Sequence, residues 1–344
     1  MFSKLFLKFC QERNIKKSTR TGYESALSRY SDFHNMSLED LISEAVDEEN
    51  SLVPLKKRKI KKRLLDFRSY LFNGSLSPNT SRTYFSKVQT FYMHFEVEIP
   101  HIPQAKYDKI YETNYMDLPT KEHIREAVEV SSIEMKAIIL FMASSGCAKA
   151  ETLSLTVGDF IEATSEYHNG GSIFDILNRL GNTEDVVPTF YLKRIKTGKF
   201  YYTFCSPEAT QFIVSYLKIR YDLKSTDKLF DITDSKLLNN FQQINDDFNW
   251  GFKGRYRFFR SHTLRKFHAS NIGLSAEYID SLQGRGKNSV HETYIKTNPV
   301  KLKELYMSVV ENVEIFDEKQ KDNVTQEFNI VINVFLAGKE YNII

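Results

Sequence analysis

Apolar residues recur at helical spacing through most of the chain, and the polar residues between them predict where each helix starts and stops. Phe6–Cys10 opens an amphipathic pattern. Tyr23, Leu27 and Tyr30 then share one helical face, with Ser18 or Thr19 as the N-cap ahead of them. Ser37-Leu38-Glu39-Asp40 has the capping-box form before the next apolar turn. A third helix, Lys61–Phe72, stops at Asn73-Gly74; Ser77-Pro78-Asn79-Thr80 restarts the chain, and Thr83–His94 is a fourth. The first 100 residues are therefore an expected all-α domain. Pro100 and Pro103 favour an extended connector, placed at 101–116, because proline fixes φ and removes a donor.

A second domain is expected over 117–310, followed by a tail, 311–344. Thr120 caps a helix running through Val128, and Ile133–Ser144 is a further helix that ends at Gly146, with a new one starting near Ala148. Thr189–Ile195 and Phe200–Phe204 are β-prone runs on either side of Lys196-Thr197-Gly198-Lys199, which predicts a hairpin. Ahead of the hairpin, after Ser145–Leu155, Ile161–Val187 with Gly170-Gly171 and an acidic end reads as a surface excursion without assignable chemistry. Ser206-Pro207-Glu208 opens a helix to about Arg220, Asn/Asp-rich breaks are expected near 231–247, and Leu302–Val310 is again apolar-periodic. The tail has apolar positions at Phe328, Ile330, Val331 and Val334, which pack in cis or exchange into a neighbouring subunit. The fold class is mainly α with a small β-hairpin.

Composition narrows the function classes. A chain of 344 residues, 41% hydrophobic and 26% charged, is globular in make-up. Its longest apolar runs, such as Met135–Ala143, are too short to span a bilayer, and the N-terminus lacks signal-peptide form. Three separated cysteines, Cys10, Cys147 and Cys205, argue against a disulfide framework or a structural zinc site, so a cytoplasmic location is expected. The net charge of +3 is unevenly spread: residues 1–100 hold 17 Lys/Arg against 12 Asp/Glu. The densest run comprises Lys56, Lys57, Arg58, Lys59, Lys61, Lys62 and Arg63; a second, Lys253–Arg260, brings Arg255, Arg257 and Arg260. Both are candidate polyanion surfaces.

Four small signals occur in one order. Ser145–Leu155 turns into a helix with Lys149 and Glu151 in its opening residues. Lys196 sits at the hairpin tip. His262 and Arg265 stand three apart, hence on one helical face. Arg285 is followed nine residues later by Tyr294. Each is weak singly; their joint order after a basic helical domain is not easily had by accident. In these features the chain resembles the tyrosine recombinases, or phage-integrase family. The resemblance covers nearly the whole sequence, including Leu118-Pro119-Thr120-Lys121-Glu122, Lys196-Thr197-Gly198, His262-x-x-Arg265 and the step from Arg285 to Tyr294. The wording of Met142–Phe160 and Gln283–Tyr294 looks most like archaeal integrases.

The resemblance implies a helical, SAM-like core-binding domain and an α+β catalytic domain that together act on duplex DNA through a covalent 3′-phosphotyrosine, in a homo-oligomeric, tetrameric synapse. It implies Tyr294 as nucleophile, with Lys196, His262, Arg265, Arg285 and Lys149 around the phosphate. These residue types suit the chemistry. Attack on a phosphodiester adds charge to its non-bridging oxygens, which fixed cations stabilise. Arginine offers a planar two-pronged donor, a tyrosine of pKa near 10 needs activation, and a lysine can protonate the leaving 5′ oxygen. No metal and no cofactor are called for.

Two departures from the family pattern matter. Counting back from Glu151, the place of its first arginine holds Ala148, with Lys149 next to it. Either Lys149 supplies the first phosphate cation, less firmly than a bidentate arginine, or the site is crippled. Arg285 stands where many members carry histidine, with Lys287 as a weaker substitute. Tyr278 and Tyr306 are the alternative tyrosines, and both look like packing residues. Three alternatives to an integrase of a mobile element stay open: a host recombinase resolving chromosome dimers, a degenerate relative that binds DNA without cutting, and a type IB topoisomerase-like nicking enzyme.

Overall fold

The computed structural model of the chain describes residues 3–103, 105, 114–286 and 298–317, and the chain divides into two compact units, Met1–Tyr111 and Glu112–Ile344. In the first unit each helix is started by a cap and held by one apolar face. Ser3 Oγ accepts from the Phe6 amide at 3.3 Å and opens α1 (Lys4–Glu12). Helix α2 (Lys17–His34) begins earlier than the sequence suggests, with Lys16 at its N-cap rather than Ser18 or Thr19. Ser37 caps α3 (Leu38–Asn50), and Ser77 caps α5 (Pro78–His94), whose proline occupies the first turn where no donor is lost. On α4 (Lys59–Asn73), Ile60, Leu64, Phe67 and Leu71 form one buried stripe. Phe9 sits edge-on to Tyr23, Phe91 and His94. The buried Tyr30 and Tyr92 hydroxyls share a 3.0 Å bond, so neither is left without a partner.

In the second unit α6 (Lys121–Glu129) precedes α7 (Ile133–Ser145), which beyond Glu134 and Lys136 of its first turn is apolar or small on every side and buried along most of its length. An all-round apolar helix belongs in a core, and α7 is the axis against which α11 (Pro207–Lys218) and α13 (Ser261–Asn271) pack. Short helices α8 (Lys149–Thr152) and α9 (Val157–Ala163) follow its end. Strands β1 (Thr189–Lys193) and β2 (Phe200–Phe204) pair antiparallel, with Thr189 opposite Phe204 and Lys193 opposite Phe200. Phe190 points inward onto Phe141 while Tyr191 stays exposed.

Two sequence expectations are corrected here. The supposed surface excursion contains α10 (Ile173–Gly181), whose Ile176, Leu177 and Leu180 are buried as it packs on α11. The supposed Asn/Asp-rich break holds α12 (Asp234–Asp247), capped by Thr233 and buried through Leu237, Phe241 and Ile244. Asn and Asp disfavour a helix by about 0.7 kcal/mol each at most. Burying each large apolar side chain returns about 1.5–3 kcal/mol, so the stripe wins.

A second small hairpin, β3 (Phe252–Lys253) with β4 (Tyr256–Arg257), leads into α13; α14 (Ala276–Leu282) and α15 (Pro299–Met307) complete the order. The chain then stays on its own unit as far as Asp317. Val313, Ile315 and Phe316 are buried, and the Glu208 carboxylate accepts from the Ile315 and Phe316 amides at 3.1 and 2.8 Å. The fold is thus mainly helical with small two-stranded sheets, and no helix among the described residues is long and apolar enough to cross a membrane.

Candidate functional site

The site is built where the end of α7, the middle of α13 and the turn after α14 meet. Gly146 closes α7 in the left-handed region at φ 64°, and a Cβ there would lie 2.6 Å from His268 Nδ1. Glycine is what allows this approach. Arg265 on α13 is 6% exposed and donates from Nη1 to the Gly146 carbonyl at 2.6 Å and from Nη2 to the Gln283 carbonyl at 2.7 Å. Both partners are neutral, so they orient the guanidinium without cancelling its charge. Burial, then the nearby charge of Arg194 and more weakly that of Arg285, push its pKa down to about 10, which keeps it protonated at neutral pH. A buried, carbonyl-held guanidinium is a preformed anion site, with donors to spare beyond the two used.

His262 stands one turn earlier on α13. Although part of its surface faces solvent, partial burial and the cations Arg260, Lys266, Arg265 and Arg285 push its pKa down to about 4. At neutral pH it is therefore an uncharged hydrogen-bonding group. Arg285 follows Gly284, whose φ of 59° turns the chain sharply and whose missing Cβ would sit 2.5 Å from the Tyr201 ring. The Arg285 amide donates to the Asp280 carbonyl at 2.9 Å and its side chain to Asp280 Oδ1 at 3.4 Å. Its charge is felt by His262, Arg265 and His268 alike. The structure thus brings His262, Arg265 and Arg285 into one cationic neighbourhood.

Lys196 lies exposed in the turn joining β1 and β2. That turn is tied down by Glu151 of α8, 2% exposed, which accepts from Arg194 Nη1 at 2.7 Å and from the Ile195 amide at 2.9 Å. Lys149 has gone elsewhere: its Nζ pairs with Asp234 at the start of α12 at 2.5 Å, a partly exposed pair. Tyr294 and Lys287 lie outside the described residues. Tyr306 is fully buried and donates to the Ser144 carbonyl at 3.0 Å, as a packing residue does. Tyr278 does not fit that expectation, being 40% exposed on α14.

Arg194, Gln283 and His268 were not among the sequence candidates. Gln283 Nε2 donates to the Arg265 carbonyl and to His268 Nδ1, each at 3.0 Å. Their roles come from contacts made across long stretches of chain, and no local pattern announces them.

The basic runs are less free than their composition suggests. On α4, Arg63 forks onto Glu44, which also takes Lys59, and these bonds hold the Glu44 carboxyl below its usual range. Arg58 joins Glu49 and Glu98 and is largely covered. Lys56, Lys57, Lys61 and Lys62 are exposed. In the second run Arg255 is exposed, Arg257 makes a two-pronged pair with Asp246 at 2.9 Å, and Arg260 lies over the Tyr256 ring. Arg58, Arg63 and Arg257 thus spend charge on acidic neighbours.

No family model matches the chain, and no curated protein is similar to it. Solved structures are. A XerH site-specific recombinase bound to its difH substrate is 18% identical, with a TM-score of 0.50 over 87% of this chain and 82% of that one. The Tn1549 transposon integrase in complex with transposon right-end DNA is 13% identical, with a TM-score of 0.51 over 89% of this chain and 98% of that one. At such identities the likeness is one of fold: the helical architecture with its small sheet is that of tyrosine recombinases.

Proposed function

We propose that the protein is a site-specific DNA recombinase that cuts and rejoins duplex DNA through a 3′-phosphotyrosyl intermediate. The observation that carries this is the buried Arg265 guanidinium, oriented by two carbonyls and flanked by His262 and Arg285, in a chain with the tyrosine-recombinase fold. The scissile phosphate docks on Arg265 and Arg285 and takes a hydrogen bond from neutral His262. The Tyr294 oxygen attacks phosphorus as its phenolic proton passes to water, the bond to the 5′ oxygen breaks, and Lys196 gives that oxygen its proton. The covalent phosphodiester retains the bond energy until a 5′-hydroxyl attacks, so no cofactor is needed. Exposed Lys56, Lys57, Lys61, Lys62 and Arg255 add phosphate contacts that weaken steeply with salt. The DNA complexes of XerH and the Tn1549 integrase support duplex DNA as the partner. An integrase of a mobile element, acting as a homo-oligomer, is the form proposed.

One observation favours a second reading, a relative that binds DNA without cutting it: position 148 is alanine, and Lys149 is paired with Asp234. Nicked duplexes with randomised arms separate the two. A recombinase leaves a protein–DNA adduct that survives denaturant, while binding without any adduct establishes the second reading.

A further inference from the structure

Successive residues of a strand face opposite sides, and the two faces of the β1–β2 hairpin meet different surroundings. Phe190, Leu192, Tyr201 and Thr203 point inward and are buried. Tyr191, Lys193, Phe200 and Tyr202 point outward, with Tyr191 opposite Tyr202 and Lys193 opposite Phe200. Across the diagonal the Tyr191 ring stacks on Phe200 at 5.3 Å, and it lies 4.7 Å from the Tyr202 ring. Lys193 Nζ sits 5.5 Å from the centre of the Phe200 ring and forms no ion pair among the described residues. Tyr191 is 57% exposed and Phe200 52%, so a flat aromatic surface with its own cation faces outward. Lys196, also exposed, follows in the turn. Exposed aromatic surface of this kind marks an interaction site. A partner that fits must offer flat π faces and negative charge together. A second copy of this chain meeting the surface face to face brings its own Lys193 with it, like charge on like. Nucleic acid offers both properties, but only where it is unpaired. In a duplex each base has neighbours stacked on both faces and shows no more than its edges in the grooves.

We propose that the outer face of the hairpin is a stacking platform for unpaired bases of a DNA strand, with Tyr191 and Phe200 taking the base faces and Lys193 the adjoining phosphate. The inference takes DNA as the partner from the function above and does not depend on cleavage. Where cleavage does occur, the platform lies on the same hairpin as Lys196, so a strand end released there has a surface on which its first bases rest.

Fluorescence anisotropy of labelled DNA tests it, with a single strand, an abasic strand of the same length and charge, and a duplex. The parent should bind the single strand about tenfold more tightly than the abasic strand, since a stacked base contributes on that scale. Tyr191→Leu, which keeps an apolar side chain but no ring, should lose most of that preference while Tyr191→Phe keeps it. Duplex affinity should change by less than about twofold in either variant, because no base face is free there. Lys193→Gln should lower the slope of log K against log salt on the single strand by about 0.7, the share of one phosphate contact. Equal binding of single and abasic strands by the parent, leucine and phenylalanine variants that behave alike, or an unchanged slope in Lys193→Gln overturns the proposal. So does self-association in sedimentation that Tyr191→Leu abolishes, because the face then belongs to a second copy. A parent that binds none of these DNAs overturns this inference together with the DNA-binding reading. Single-strand preference without any covalent adduct on a nicked duplex would sink the recombinase reading and leave this one standing.

Discussion

Arg265 and Gln283 hold each other in both directions: Arg265 Nη2 donates to the Gln283 carbonyl at 2.7 Å, and Gln283 Nε2 donates to the Arg265 carbonyl at 3.0 Å. The pair locks α13 to the turn that carries Arg285, and Gln283 also serves the buried His268. Removing that amide leaves buried polar atoms unpaired, so Gln283→Ala should cost about 2 kcal/mol. Urea unfolding checks this; a change below about 0.5 kcal/mol, the level of an ordinary surface substitution, would show that the exchange is not structural.

Gly284 and Gly286 make an internal comparison. A Cβ at Gly284 meets the Tyr201 ring at 2.5 Å and the backbone is left-handed, whereas a Cβ at Gly286 meets nothing within 4 Å. Gly284→Ala should destabilise by about 2–4 kcal/mol through overpacking and strain together. Gly286→Ala should fall within about 0.5 kcal/mol of the parent. Equal effects at the two sites would refute the close approach of the turn to the hairpin.

His268 predicts a pH dependence of stability. It is fully buried, and burial with the charges of Arg265 and Arg285 pushes its pKa down to about 3; its Nε2 has no partner among the described residues. Between its unfolded pKa near 6.5 and about 3, the unfolded chain holds a proton that the folded chain does not. Stability therefore falls as pH falls through this window and is fully present above it. From pH 7 to pH 5 this histidine should account for about 2 kcal/mol. Unfolding curves of the parent and of His268→Gln at both pH values test it, since the variant should lose that part of the slope.

The segment reaching Asp317 depends on Glu208. Its buried carboxylate takes the Ile315 and Phe316 amides, while Arg125 donates to the Ile315 carbonyl at 2.9 Å. Glu208→Ala should cost about 2–3 kcal/mol, as charge-assisted bonds do, and should speed amide exchange at Ile315 and Phe316 far more than in α7. Unchanged exchange there would mean that apolar burial alone holds the segment.

Much of the fold was legible because its signals are local. The Thr189–Phe204 hairpin, the Ser77-Pro78 restart and the stop at Gly146 each rest on a few adjacent residues with one steric or hydrogen-bonding reason. Helix α12 was obscured by asparagine and aspartate, whose weak propensity is outweighed by burial of Leu237, Phe241 and Ile244. At the site, the three-residue step from His262 to Arg265 places both on one face of α13 whatever else folds around them. The Glu151–Arg194 pair could not be read in this way: 43 residues separate the partners, and only packing of α8 beneath the hairpin makes them neighbours. The basic run on α4 misled for a similar reason, because its acidic partners Glu44 and Glu49 lie on another helix.

In the proposed reaction a DNA phosphate is captured beside Arg265 and joined to one tyrosine. Digesting the covalent adduct formed on a nicked duplex and sequencing the DNA-linked peptide by mass spectrometry tests it most directly. A 3′-phosphotyrosyl bond at Tyr294 is expected, absent in Tyr294→Phe and intact in Tyr278→Phe. DNA attached to Tyr278 or any other side chain, or an adduct that persists in Tyr294→Phe, would contradict it.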